Sequence, residues 1–347
     1  MRDLLADYDR LAGTGPVGRA VVTAVWGSAP RPEGSSLLAT PDARMAGSVS
    51  GGCVENAAVE EVVGAIARGT PSVASWGVSH ERAWELGLSC GGTISVLVEP
   101  SVRPEVLAAA RSDAGSVVAT VTGGRAPAGS GLVVDERGAH KSFGNYPSDL
   151  VRATVAAAGD ALEKLTSRLT TLGEGPAATD VFLEVFPRRP TLLIFGGVHV
   201  ATHLVHMAKP LGYRTVVADG REGFLTRERF PTADELILGW PADVFARVGI
   251  DSATCICLLT HDPKFDESAL DIALRSPAVY IGAIGSRKTQ QVRRERLREA
   301  GYTKEEIARL HGPIGLDLGG REPAEIALAI LAEISAVRHK RPVQVRG

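Results

Sequence analysis

Cysteine is scarce, with four in 347 residues. No two of them stand as C-x-x-C, which excludes a disulfide-framed secreted scaffold and argues against structural zinc or a thioredoxin-like centre. Long apolar runs are missing as well. The longest, "LLIFGGVHVATHLVHMA", is broken by histidines and glycines and falls short of a membrane span. The N-terminal "MRDLLADYDRLAG" carries charges through its apolar positions and has no apolar core of a signal peptide. It reads as a short amphipathic helix, and the protein is expected to be soluble and cytoplasmic. An excess of charge of one sign is also absent: 38 Lys and Arg stand against 40 Asp and Glu, for a net charge of -2. That balance gives no general attraction to nucleic acid or to anionic membranes. No Walker phosphate loop is present, and no internal repeat, heptad run or low-complexity block stands out.

What the chain does have is length for two cores, since single cores rarely grow beyond about 250 to 300 residues. Its first half mixes short strands with one good helix. The strands are expected at 19–27, 35–40, 93–100, 116–124 and 180–186. A helix is expected at 53–69, where Val54, Ala58, Val62 and Ile66 keep a spacing of four, and another at 148–170. Between them "GGRAPAGSG" has the composition of a surface loop. At "PRRP" the style changes to apolar strands alternating with helices. Strands are expected at 191–196, 214–219, 235–239, 254–260 and 278–285, almost continuously apolar, as in a parallel sheet buried on both faces. The expected architecture is therefore α/β. An N-terminal α+β domain over 1–187 precedes a C-terminal Rossmann-like domain over 188–347, built on a doubly wound parallel sheet.

"LLIFGGVHVATHLVHMAKPLGYRTVVADGRE" has the layout of a dinucleotide fold, with strand, glycine turn, helix, second strand and a terminal acid. In such folds the turn brings backbone N–H groups to a phosphate at the helix start, and the acid takes ribose hydroxyls. Gly196, Gly197, His199, Asp219 and Arg221 are candidate nucleotide or cofactor contacts on this reasoning. Aligned on G-x-G-x-x-G/A, Val198 stands where the backbone normally comes closest to the pyrophosphate. A side chain there is expected to obstruct a standard pose and to weaken or alter nucleotide binding. "LTHDPKFD" and "IGAIGSRKT" each follow a strand at its C-terminal end, so His261, Asp262, Ser286, Arg287 and Lys288 are expected to line the same crevice. The two cations suit an anion such as phosphate; ordinary solvation of a helix start is the plain alternative.

Glycine pairs beside a cysteine occur twice, in "GSVSGGCVE" and "LGLSCGGTISV". Cys53 opens a helix, where a thiolate is favoured and anions bind, and Gly51 and Gly52 permit close approach. Cys90 leads toward a strand. Each is a candidate ligand contact or a small packed residue. Cys255 and Cys257 alternate along a buried strand and are expected to be packing residues. Glu55 and Glu99 are candidate acid–base groups, more simply read as solvated ends of their elements.

"GSAPRPEGSSLLAT", "GSVSGGCVE", "LGLSCGGTISVLVEP", "IFGGVHVA", "VVADGRE", "LTHDPKFD", "YIGAIGSRKT" and "HGPIGLDLGGREPAEIALAILAEI" follow one another in an order that resembles the XdhC/CoxI family. The resemblance implies a maturation factor for molybdenum hydroxylases such as xanthine dehydrogenase or carbon monoxide dehydrogenase. It implies binding of molybdenum cofactor, support of its sulfuration with a cysteine desulfurase, and insertion into the apoenzyme. Cys53 is then the expected contact to the molybdenum end. The family's usual turn has glycine where this chain has Val198. The competing expectation is an NAD(P)-dependent oxidoreductase, with Cys53 or His261 near the chemistry and a substrate site completed by the N-terminal domain. A homodimer is expected on general prevalence alone.

Overall fold

The computed structural model describes residues 1–27, 31–78, 92–260 and 262–340. It divides into two compact units, Met1–Arg188 and Arg189–Gly347.

The first unit contains β1 (Gly18–Gly27), β2 (Ser36–Ala39), β3 (Met45–Gly47), a helix over Glu55–Arg68, β4 (Ser72–Val78) and β5 (Gly92–Glu99). A second run follows: β6 (Ser116–Gly124), β7 (Gly131–Asp135), β8 (His140–Phe143), a helix over Val151–Glu163, β9 (Arg168–Leu172) and β10 (Thr179–Phe186). The two antiparallel sheets have the orders β3-β2-β1-β5-β4 and β8-β7-β6-β10-β9. These are one order written twice, with a helix after the third strand each time.

The repeat extends to single hydrogen bonds. Ser35 donates to the Pro32 carbonyl at 3.1 Å and Gly34 to Val22 at 2.8 Å, while Ser130 donates to Pro127 at 3.1 Å and Gly129 to Val121 at 2.8 Å. Thr23 falls out of register with β5, and Thr122 with β10, as matching bulges. Each threonine hydroxyl donates to a carbonyl across the bulge, Ser95 at 3.1 Å and Asp180 at 3.2 Å. The first unit is thus a duplication, contrary to the expectation of no internal repeat.

Strand alternation sorts the side chains into layers. Ala20, Val22, Val96 and Val98 pack under Ala58, Val62 and Ala65 of the first helix. Val117, Ala119 and Val121 pack under Ala158 and Ala161 of the second. The opposite faces meet through Val21, Leu97 and Phe182, giving a helix–sheet–sheet–helix sandwich. The helix expected over 148–170 ends at Glu163. Leu165 then takes a positive φ of 51°, and 168–172 becomes β9, paired with β10. Strands β3, β4, β7, β8 and β9 and the Pro104–Arg111 helix were not expected. They are short or mixed in polarity, and long-range pairing rather than local pattern fixes them.

The second unit alternates strands and helices: β11 (Thr191–Phe195), β12 (Arg214–Asp219), β13 (Glu235–Leu238), β14 (Thr254–Leu258), β15 (Tyr280–Ala283) and β16 (Leu310–His311). All neighbours are parallel, in the order β13-β12-β11-β14-β15-β16. This is the doubly wound Rossmann order, with its switch point between β11 and β14. Leu192 and Ile194 enter one core with Cys255 and Cys257, while Leu193 and Phe195 enter the other. Both cysteines are fully buried. Burial pushes the Cys255 thiol up to about 12 and the Cys257 thiol well above its usual value. They serve packing, as their spacing suggested.

Candidate functional site

In the first unit the chain between β3 and the Glu55–Arg68 helix closes around one carboxylate. Glu55 Oε1 accepts from the Ser48 hydroxyl at 2.6 Å and from the Ser50 and Gly51 N–H groups at 2.9 and 3.1 Å. Oε2 accepts from Gly52 N–H at 2.8 Å and from the Ser50 hydroxyl at 2.5 Å. The Ser50 oxygen in turn accepts the N–H groups of Cys53 and Val54, both at 3.0 Å. Burial works against the charge on Glu55. The Ser48 and Ser50 hydroxyls and the surrounding amides outweigh it and hold the carboxyl at about 2.

Two expectations change here. Glu55 is 7% exposed, a buried organiser rather than a solvated end. The amides of Gly51 and Gly52, expected to face an anionic ligand, are turned to Glu55, so the anion that this glycine loop binds is its own. What the corner presents outward is Cys53, which is exposed. Sequence reasoning missed Glu55 although a signal exists: a carboxylate at a helix start just behind a Ser- and Gly-rich loop. Glu99 is likewise buried, at 1%, and paired with Arg19 and Arg103. Cys90 lies outside the described residues.

In the second unit the glycine turn sits at the switch point. A Cβ on Gly196 would lie 3.0 Å from the backbone of Leu259 and Thr260, and one on Gly197 would lie 2.5 Å from the Phe224 carbonyl. Both positions are therefore closed to larger residues. Val198 has a half-buried side chain that packs against the core, so it projects less into the crevice than its place in the motif suggested. Asp219 is buried and accepts Gly197 N–H at 2.8 Å, Arg221 N–H at 3.0 Å, and Arg221 Nε and Nη2 at 2.9 Å each. Burial would raise its pKa, but the Arg221 guanidinium and these N–H groups pull it below the usual carboxylate value. The acid that takes ribose hydroxyls in nucleotide folds is here saturated by Arg221, whose guanidinium lies 3.7 Å over the Phe224 ring.

The remaining candidates cap helices around the crevice. Asp262 caps Pro263–Arg275 by accepting Lys264 N–H, and Ser286 caps Arg287–Glu299 by accepting Thr289 N–H. Arg287 reaches Asp317 at 3.1 Å, which brings the "GLDLGG" loop to the start of that helix. Ser286 and Lys288 also border a groove of 820 Å³ between the two helices, beside Arg293 and Arg296. His199 is exposed and its ring lies 5.1 Å from that of His203. His261 lies outside the described residues. Asp317 was not singled out from sequence, because a loop between a short strand and a helix carries no local sign of where it folds back.

A family model described as the XdhC and CoxI family matches residues 11–77, and one described as the XdhC Rossmann domain matches residues 192–334. The chain belongs to the XdhC and CoxI family. Among relatives of this XdhC chain is a protein of Bacillus subtilis strain 168, named as a probable xanthine dehydrogenase subunit. It is 26% identical over 92% of this chain and 93% of its own length. A protein of Escherichia coli K12 named molybdenum cofactor insertion chaperone PaoD is 26% identical over 92% of this chain and 84% of its own. A crystal structure from Bacillus halodurans, titled as a xanthine dehydrogenase, matches with a TM-score of 0.76. That match spans 100% of this chain and 98% of the other at 24% identity, a likeness of fold.

Proposed function

We propose that the chain is a maturation factor without turnover of its own, which binds and protects molybdenum cofactor and inserts it into a molybdenum hydroxylase. The recipient would be an apoenzyme of the xanthine dehydrogenase or carbon monoxide dehydrogenase type, and a cysteine desulfurase would supply sulfur while the cofactor is held. The protein would work in the cytoplasm as a homodimer. The observation that carries the reading is the exposed Cys53 thiol on a corner braced by Glu55. The cofactor's metal arrives held by its own dithiolene, so a host needs to add only a soft donor, and Cys53 supplies a thiol. In the second unit Arg287 and Lys288, both exposed at a helix start, suit an anionic group such as phosphate. The name of the Escherichia coli relative supports this role, and that of the Bacillus subtilis relative supports a link to xanthine dehydrogenase.

The NAD(P)-dependent oxidoreductase reading draws on the strand order, and the saturation of Asp219 by Arg221 weighs against it. Purification from a molybdenum-replete host, oxidation and measurement of pterin fluorescence test the proposal, alongside titration with NADH and NADPH. Retained pterin is expected, with Cys53→Ala lowering it far more than Cys255→Ala. Absence of pterin together with micromolar nicotinamide binding would overturn the reading, and equal retention in the two variants would remove Cys53 from the site.

A further inference from the structure

An aromatic column runs from the second unit's core to its surface. Phe245 stacks on Phe195 at 6.2 Å between centroids, Phe195 meets Phe265 at 6.2 Å, and Phe265 stacks on Trp240 at 4.3 Å with 7° between planes. The column ends in the open, because Trp240 remains 55% exposed. Two features show that the surrounding chain accommodates it. Trp240 holds the N-cap position of Pro241–Val248, where a short polar residue would serve the helix better, and it makes no cap hydrogen bond. Gly220 has no Cβ, and one would lie 2.2 Å from the Phe265 ring. The glycine lets the tip of the Phe265 ring approach the chain, and the ring's face stacks on the tryptophan from beneath.

The platform stands at the C-terminal edge of the parallel sheet, the side on which doubly wound folds bind ligands. Gly239 N–H donates to the Asp219 carbonyl at 3.2 Å, so Trp240 follows directly on the Asp219–Arg221 corner. An exposed indole face at this edge, backed by a second aromatic ring, has the makeup of a ring-stacking site. We propose that the outer face of Trp240 is the stacking platform for a planar, hydrogen-bonding bicyclic ring, the chemistry shared by pterins and purines. For a pterin this deepens the cofactor-binding reading and rests on it.

The test uses the full chain with neopterin and with GMP as probes, followed by ligand fluorescence or anisotropy and by calorimetry. Wild type, Trp240→Phe and Trp240→Ala are compared after circular dichroism confirms folding. Neopterin is expected to bind wild type, with Trp240→Phe within about threefold and Trp240→Ala weaker by about tenfold or more. Equal neopterin binding by Trp240→Ala and wild type overturns the platform and leaves the cofactor reading standing. GMP binding alone, with the same dependence on Trp240, supports the platform for a purine and counts against the pterin reading. If wild type binds neither ring the platform is overturned, and pterin carried through purification decides the cofactor reading separately.

Discussion

Glu99 and Glu184 hold the same position in the two halves of the first unit, and one guanidinium serves both. Pairing of Val22 with Val96 and of Val121 with Val181 sets the register, which puts Arg19 opposite Glu99 and Val118 opposite Glu184. Arg19 is 1% exposed; it reaches Glu99 at 3.4 Å, contacts Glu184 more closely, and donates to the Ser36 hydroxyl at 2.9 Å. Burial alone would favour loss of its proton, but Glu184 and Glu99 raise its pKa instead. Arg19→Met leaves Glu184 buried without its cation and Glu99 with Arg103 alone. Breaking a buried ion network in this way typically costs about 3 to 5 kcal/mol. Urea unfolding is expected to read a loss of that size, and replacing Glu184 by Gln in the same chain should recover part of it. A loss below about 1 kcal/mol would mean that the sandwich does not depend on this network.

The Glu55 corner gives stability a defined pH dependence. Its carboxyl sits at about 2 in the fold against an ordinary 4.5. A depressed carboxyl contributes stability that is complete above the unfolded value and is lost as pH falls toward the folded one. The difference corresponds to roughly 3 kcal/mol at neutral pH. Wild type is expected to lose stability between about pH 5 and 2. Glu55→Gln should be less stable at pH 7 by about 2 kcal/mol and should show a shallower decline over that range. Parallel pH profiles for the two proteins would contradict the assignment.

The duplication supplies its own control at the hairpins after β2 and β7. Thr40 N–H donates to Arg44 and Ala43 N–H to Thr40, just as Asp135 donates to Ala139 and Gly138 to Asp135. The third residue of each turn is left-handed, with φ of 62° at Ala43 and 81° at Gly138. A Cβ on Gly138 would meet only Val155, at an ordinary 3.9 Å, so a substitution there tests backbone strain alone. Gly138→Ala is expected to cost about 1 kcal/mol, and Ala43→Gly to be neutral or stabilising by up to about 1 kcal/mol. Thermal unfolding of the pair checks this, and the same sign for both changes would refute the equivalence.

The second unit was legible because each of its central strands is a short apolar run closed by glycine or a polar residue, as in "TLLIFGG" and "RTVVADG". Such strands need no distant partner to be recognised. The duplication was not legible, because it survives in backbone hydrogen bonds more than in residue types. Arg19 is matched by Val118, and the helix that opens on Glu55 opens in the second half on Val151. Asp219 was found correctly as the end of a strand, yet its partner choice turned on Arg221 two residues later. Sequence spacing states that such a pair is near, and only the fold states that the guanidinium turns back.

Cys53 should be chemically distinct from the two sheet cysteines. It is exposed, whereas Cys255 and Cys257 are fully buried and burial holds their thiols protonated. Brief alkylation of the native protein near pH 8, followed by peptide mass spectrometry, is expected to modify Cys53 at least tenfold faster than either of them. Adding denaturant should equalise the three. Because the Cys53 side chain supports none of the hydrogen bonds that hold its corner, Cys53→Ala should alter unfolding stability by no more than about 0.5 kcal/mol. A large loss would mean that the thiol is a packing residue, and the exposed corner would then lose its claim to a ligand.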